Sequence, residues 1–321
     1  MQTTPVYTPL TIGVDLGGTN TVYALVDSVG HILKSDSFQS ATPTVEMWAD
    51  RLAEGIMTMI EDVEPADIEG IGIGAPCANV VTGCIEAATD LPWESPIPLA
   101  NMIQSRLGMK TVISNDANAA AIGEMTYGAA AGMKNFIVLT LGTGVGSGIV
   151  VDGHLLSGTR GFAGELGHVT FQFASDRLCG CGRYGCLQTV ASAKGIRETT
   201  RRLLAASSSP SVLRDVPDEV RSPKLVEEAL MGGDKIAAEV YDFTGRCLGK
   251  AAAEFAAFTD PEAIILFGGV AKAGELLLRP MRGAFRESSL HLYRDRVRFL
   301  CSGLDGDAAA ILGAAALPMI S

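Results

Sequence analysis

Leu10-Thr-Ile-Gly-Val-Asp-Leu16 alternates as a strand does, Gly17-Gly-Thr-Asn20 turns the chain, and residues 21–27 read as the returning strand. A second turn at residues 28–30 leads into a third short strand. The plan recurs further along: Asn135-Phe-Ile-Val-Leu-Thr-Leu141 is a strand, Gly142-Thr-Gly-Val-Gly146 the turn and residues 147–151 the return. Two such segments predict two related halves, each with a mixed sheet.

Between and beyond them the signals are plain. Residues 71–75 and 112–114 read as buried strands, and the second feeds a helix that opens at Asn115-Asp116 and stops at Gly128. Residues 191–254 are mostly helical, with surface loops at 207–210 and 215–223. Ala263-Ile-Ile-Leu-Phe267 is a strand ending in Gly268-Gly269, and Asp307 is expected to cap a last Ala/Leu helix that ends before Pro318.

The chain has 321 residues, 47% of them hydrophobic and 19% charged, which suits two domains with a sizeable core. Mean hydropathy is +0.26. No uncharged apolar run approaches the roughly 20 residues that a spanning helix needs. The start, MQTTPVYTPL, lacks the basic and apolar regions of a signal peptide, so a cytoplasmic chain without a membrane partner is expected. A net charge of −11, with no basic run longer than Arg201-Arg202, repels polyanions and excludes nucleic acid as an expected partner.

Three glycine turns, Gly17-Gly18, Gly142-Thr143-Gly144 and Gly268-Gly269, each follow the end of a buried strand. Glycine backbone approaches a ligand closely, and successive N–H groups form an anion nest. Any one alone reads as a hairpin turn. Together, with Asp15 to hold Mg²⁺ through water and with Thr19 or Thr143 at the first two turns, they point to nucleotide phosphate. A G-x-x-x-x-G-K-[ST] loop is missing, and residues 142–148 lead into a strand, so P-loop and Rossmann sites are excluded. Ser114-Asn115-Asp116-Ala117 sits where a strand hands over to a helix. An N-cap and a general base, ionised by the helix dipole, are both open readings for Asp116.

Seven cysteines occur, and three lie together in Cys179-Gly-Cys-Gly182-Arg-Tyr-Gly-Cys186, shortly after Gly164-Glu-Leu-Gly-His168. His168, Cys179, Cys181 and Cys186 form a Cys₃His set that suits structural, tetrahedral Zn²⁺ with no open position. A redox switch is the remaining alternative.

Taken together, these residues resemble the ROK family of bacterial sugar kinases and regulators. The resemblance rests on Asp15-Leu-Gly-Gly-Thr19, Asp90-Leu-Pro-Trp93, Ser114-Asn-Asp-Ala117, Leu141-Gly-Thr-Gly144, Gly164-Glu-Leu-Gly-His168, the cysteine run and Leu266-Phe-Gly-Gly269. Within the family it looks closest to Bacteroides-type hexokinases. The resemblance implies an α/β, two-lobed actin-like (duplicated ribonuclease H-like) ATPase fold with a cleft between the lobes. The small lobe would be residues 1–118, with a C-terminal helix at 307–321 packing back on it, and the large lobe 119–306, with a zinc loop at 168–186. It implies MgATP and a hexose as substrates, transfer to the sugar 6-hydroxyl with Asp116 as base, and a homodimer. Asn115, Glu165 and His168 would bind other sugar hydroxyls, His168 also ligating zinc. Asp15 would serve Mg²⁺, while Gly17, Gly18, Thr19, Gly142, Thr143, Gly144, Gly268 and Gly269 would hold ATP.

Two positions depart from the pattern. Where the family has Cys-Leu-Glu, this chain has Cys186-Leu-Gln188; an amide among the sugar ligands would move preference toward a sugar presenting an acceptor, such as an N-acetyl group. Asp90 stands where Asn is common. The runner-up is an N-acylhexosamine kinase acting on N-acetylglucosamine or N-acetylmannosamine. Different in kind are a non-catalytic sugar sensor, disfavoured by Asp15 and Asp116, and a repressor, disfavoured by the acidic charge and the early position of Asp15.

Overall fold

The computed structural model describes residues 9–87, 91–304, 306 and 308–320; Asp90 and the expected cap Asp307 lie outside them. The chain forms two compact units, and the strand–turn–strand repeat founds both.

The first unit takes residues 1–132, 154–163 and 303–321. Its sheet runs β3-β2-β1-β4-β7, from β1 (Leu10–Leu16), β2 (Asn20–Val26), β3 (Ile32–Gln39), β4 (Ile68–Gly74) and β7 (Thr111–Ser114). The first three strands are antiparallel neighbours, whereas β4 and β7 run parallel to β1. Two-residue strands β5 (Ala78–Asn79) and β6 (Cys84–Ile85) form a separate hairpin. Helix α1 (Val45–Met59) is capped by the Thr44 hydroxyl and buries Trp48, Leu52 and Ile56 in a core shared with α2 (Leu99–Leu107) and strand residues such as Ile12, Val14 and Ile71.

Helix α3 (Asp116–Tyr127) packs against α9 (Ala309–Ala316), and α9 packs in turn on β1 and β4. Gly13 and Gly72 are partners in the β1–β4 register, and both lie under α9. A Cβ on Gly72 would stand 1.9 Å from the Ala314 carbonyl oxygen, and one on Gly13 2.4 Å from that of Ile311. Helix backbone therefore rests directly on strand backbone, which only glycine permits. The α3–α9 contact also carries the first unit on to Gly132, past the expected boundary at 118.

The second unit takes residues 133–153 and 164–302. In it β9 (Val145–Val151), β8 (Phe136–Leu141), β11 (Ala263–Phe267) and β12 (Arg298–Cys301) lie side by side in that order, with β8–β9 antiparallel and the rest parallel. The order matches β2-β1-β4-β7, as duplication predicts. The short β10 (His154–Leu155) belongs to the first unit. The helices here are α4 (Gln188–Ala191), α5 (Ala193–Ala206), α6 (Pro223–Met231), α7 (Lys235–Thr259) and α8 (Glu275–Ser288). Among the described residues no helix is long and apolar enough to cross a membrane.

Candidate functional site

In the first unit the candidate residues collect at the carboxyl ends of the parallel strands, where open α/β sheets bind ligands. Asp15 pairs in register with Gly74, and Gly74 with Ser114. Asn115 then caps α3, its side chain accepting from the Asn118 N–H at 2.8 Å, and Asp116 is the first helical residue. The cap is therefore Asn115, which leaves the Asp116 carboxylate without a capping task. Its side chain remains reachable by water. Burial in the surrounding protein, and then the Asp15 carboxylate, raise its pKa to about 6; burial raises that of Asp15 as well.

The Gly17–Asn20 turn is held from behind. The Gly17 N–H reaches the Asn20 carbonyl at 3.1 Å, and the Ser40 hydroxyl donates to the Gly17 carbonyl at 2.6 Å. Thr21 bonds Ser40 at 3.0 Å and accepts from the Trp48 indole at 2.8 Å. This buried network fixes the turn while Gly18 and Thr19 stay exposed.

In the second unit two turns meet. Gly142 N–H closes on the Gly144 carbonyl at 3.0 Å, and the Gly142 carbonyl accepts from Ala193 at 2.8 Å, tying the turn to the start of α5. Gly268, at φ +95°, lies so near β8 that a Cβ would stand 2.8 Å from the Leu141 carbonyl oxygen. A pocket of about 500 Å³ opens beside Thr143 and Gly144, lined also by Ser192, Lys194 and Gly195.

The Cys₃His residues converge through a hairpin. Thr170 bridges Cys186 and Leu178 bridges Tyr184, with positive-φ Gly182 and Gly185 at the bends. His168 ends a single helical turn over Leu166–His168. The four donor atoms lie within 4.8 Å of one another, with His168 Nδ1 3.7 Å from Cys179 Sγ and Cys181 Sγ 3.6 Å from Cys186 Sγ. A tetrahedron with Zn–S near 2.3 Å and Zn–N near 2.1 Å has edges of about 3.6–3.8 Å, so the donor set fits the ion. Hydrogen bonds from the Arg183 backbone and side chain pull the exposed Cys181 thiol down to about 6, while burial pushes Cys186 up to about 12.

Glu165 and His168 flank the same turn, Glu165 exposed and His168 half-buried, and Nδ1 faces the cysteines. Gln188 has two partners that its position in the pattern did not suggest. Its Nε2 donates to Cys179 Sγ at 2.9 Å, and its Oε1 accepts from the Val145 N–H at 3.4 Å. Sequence reasoning missed both partners, along with the network of Ser40, Thr21 and Trp48.

A family model described as "ROK family" matches residues 11–319. The chain is 36% identical to a glucokinase of Halalkalibacterium halodurans over 94% of this chain and 93% of the relative. It is 35% identical to a Thermotoga maritima glucokinase over 95% and 96%. The crystal structure of a Streptomyces griseus ROK glucokinase in complex with glucose and AMPPNP superposes with a TM-score of 0.76 at 33% identity, covering 96% of this chain and 98% of that one. The fold is that of the two-lobed actin-like ATPases, and the chain belongs to the ROK family.

Proposed function

We propose that this chain transfers the γ-phosphoryl group of ATP to the 6-hydroxyl of a hexose, glucose first among the candidates. The observation that carries the reading is Asp116: a carboxylate free of capping duty, at the head of α3, with its pKa raised to about 6 and Asp15 nearby. It is ionised at neutral pH yet basic enough to take a hydroxyl proton as the oxygen attacks phosphorus, as an effective general base must be.

Asn115, Glu165 and His168 orient the remaining hydroxyls, His168 with the nitrogen that faces away from the cysteines. Gly17, Gly18 and Thr19, with Gly142, Thr143, Gly144, Gly268 and Gly269, offer backbone and hydroxyl donors to the ATP phosphates. The pocket beside Thr143 and Gly144 supports that assignment. Asp15 would hold Mg²⁺, which neutralises phosphate charge when bound. His168, Cys179, Cys181 and Cys186 would hold a structural zinc ion that stiffens the Glu165–His168 turn. Glucokinase relatives matching nearly the full chain support the hexose. The chain would act as a homodimer in the cytoplasm, as the resemblance implies.

The test is a coupled ADP-release assay with MgATP and a panel of glucose, mannose, fructose, N-acetylglucosamine and N-acetylmannosamine. Glucose is expected to give the highest kcat/KM. Absence of turnover with every sugar would defeat the reading, and a preference for an N-acetyl sugar would move the substrate.

A further inference from the structure

Ser147, the third residue of β9, is buried, and its hydroxyl brackets Glu165. Its Oγ accepts from the Leu166 N–H at 3.2 Å and donates to the Gly164 carbonyl. Those two groups flank Glu165 and also bond each other, Leu166 N–H to the Gly164 oxygen at 2.8 Å. The direction follows from chemistry. A backbone N–H can only donate, so the hydroxyl proton is left for the Gly164 oxygen.

The rest of the turn lies on the same stretch of β9. A Cβ on Gly167 would stand 2.0 Å from the Val145 carbonyl oxygen, and one on Gly164, at φ +91°, 3.0 Å from that of Ser147. The Glu165 carbonyl is engaged as well, accepting from the His168 N–H at 3.0 Å. The Glu165 side chain, by contrast, is exposed and has no hydrogen bond or ion pair among the described residues. Where its carboxylate points is therefore decided by the backbone of the turn, and Ser147 holds that backbone on both sides of it.

We propose that Ser147 is a positioning residue for the sugar, acting through Glu165: its buried hydroxyl sets the direction of the carboxylate that binds a sugar hydroxyl. The inference rests on the assignment of Glu165 to the sugar made above. A carboxylate already aimed at its hydroxyl loses less freedom when the sugar binds. Ser147→Ala removes both side-chain bonds but leaves the bond between Leu166 and Gly164, so the turn persists while its direction is released. The Gly142–Gly144 turn supplies a control. It runs straight into β9, yet it is closed by its own backbone groups, so loss of the hydroxyl leaves its shape unchanged.

The experiment is a double-mutant cycle on the full chain: wild type, Ser147→Ala, Glu165→Gln and the double variant, each checked for folding by circular dichroism. KM and kcat are measured by ADP release with MgATP and the sugar that gives wild type its highest kcat/KM. Ser147→Ala should raise KM for the sugar about tenfold, with kcat within about threefold and KM for ATP within about twofold of wild type. Glu165→Gln should also raise KM for the sugar, and adding Ser147→Ala to it should change that KM by less than about twofold. A serine with a structural role alone would act by the same factor in both backgrounds. If Ser147→Ala does not fold, Ser147→Cys, close in size but a much weaker donor, takes its place in the cycle.

Equal factors in the two backgrounds would overturn the proposal, as would Ser147→Ala with wild-type kinetics or with KM for ATP raised as far as KM for the sugar. Glu165→Gln with an unchanged KM for the sugar would overturn it by removing Glu165 from the sugar. A wild type that phosphorylates no sugar would do so by removing the kinase reading. Wild type and Glu165→Gln, assayed first, tell these failures apart.

Discussion

Asp15 and Asp116 reach the same end of one sheet by different routes: Asp15 is the next-to-last residue of β1, and Asp116 opens the helix that follows β7. The register Asp15–Gly74–Ser114 fixes their proximity, and each carboxylate is harder to ionise than it would be in water.

The pH dependence of kcat/KM follows from it. Asp116 must be ionised to accept a proton, so activity should rise through pH 6 and level off above pH 7. Burial is the larger cause of the shift and Asp15 the smaller, so Asp15→Asn should move the midpoint to lower pH while reducing the rate at every pH. A midpoint that stayed at the wild-type value in Asp15→Asn would show that the two carboxylates are not coupled.

Stability should move the other way from activity. The folded-state pKa of Asp116 is raised above its unfolded value of 3.8, so the folded state binds the extra proton between about pH 4 and 6. The group's contribution is favourable below that window and is lost as pH rises through it, leaving a cost above pH 6. Asp116→Asn removes the charge. We expect kcat to fall by about 10²–10⁴-fold, and Tm at pH 8 to exceed that of wild type, with the difference closing toward pH 4. A lower Tm at pH 8 would contradict the sign.

Two glycines separate packing from ligand approach. Gly72→Ala would push a methyl group into the Ala314 carbonyl at 1.9 Å, in a contact between strand and helix backbones that cannot relax by a rotamer change. It should cost about 3 kcal/mol or more in a denaturant titration. Gly142 has nothing within 4 Å of its Cβ position. Gly142→Ala should therefore cost less than about 0.5 kcal/mol, yet raise KM for ATP, because the open space is where a phosphate oxygen would approach. An unchanged KM for ATP would remove Gly142 from the phosphate turn.

The same contrast explains which parts of the fold were legible in the sequence. Local chemistry announced α3, since Asn115 and Asp116 start it and Gly128 stops it, and the strand–turn–strand repeat announced both sheets. Helix α8 carried the opposite signal: Pro280 lies inside it and reads as a breaker, but its ring rests where Gly245 of α7 has no side chain. The boundary at Gly132 depends on α3 meeting α9, a contact between segments far apart in the chain. For the site, the Cys₃His set was visible because its ligands are close in sequence. The partners of Gln188 were not, because nothing near residue 188 names Val145.

Those partners change what Gln188→Glu should do to sugar choice. From the motif alone, an amide in place of a carboxylate suggests altered contacts with the sugar, and hence a change in preference between glucose and N-acetylglucosamine. With one bond from Nε2 to Cys179 and one to Oε1 from Val145, the amide keeps one hydrogen and one lone pair for a sugar, whereas a carboxylate would offer acceptors alone. The ratio of kcat/KM for glucose over N-acetylglucosamine should then rise about threefold or more in Gln188→Glu, because the donor that an N-acetyl carbonyl could meet is lost. Zinc content per chain, measured by elemental analysis, should stay at the wild-type value, since His168, Cys179, Cys181 and Cys186 are untouched. A ratio that stayed within about twofold would detach Gln188 from the sugar.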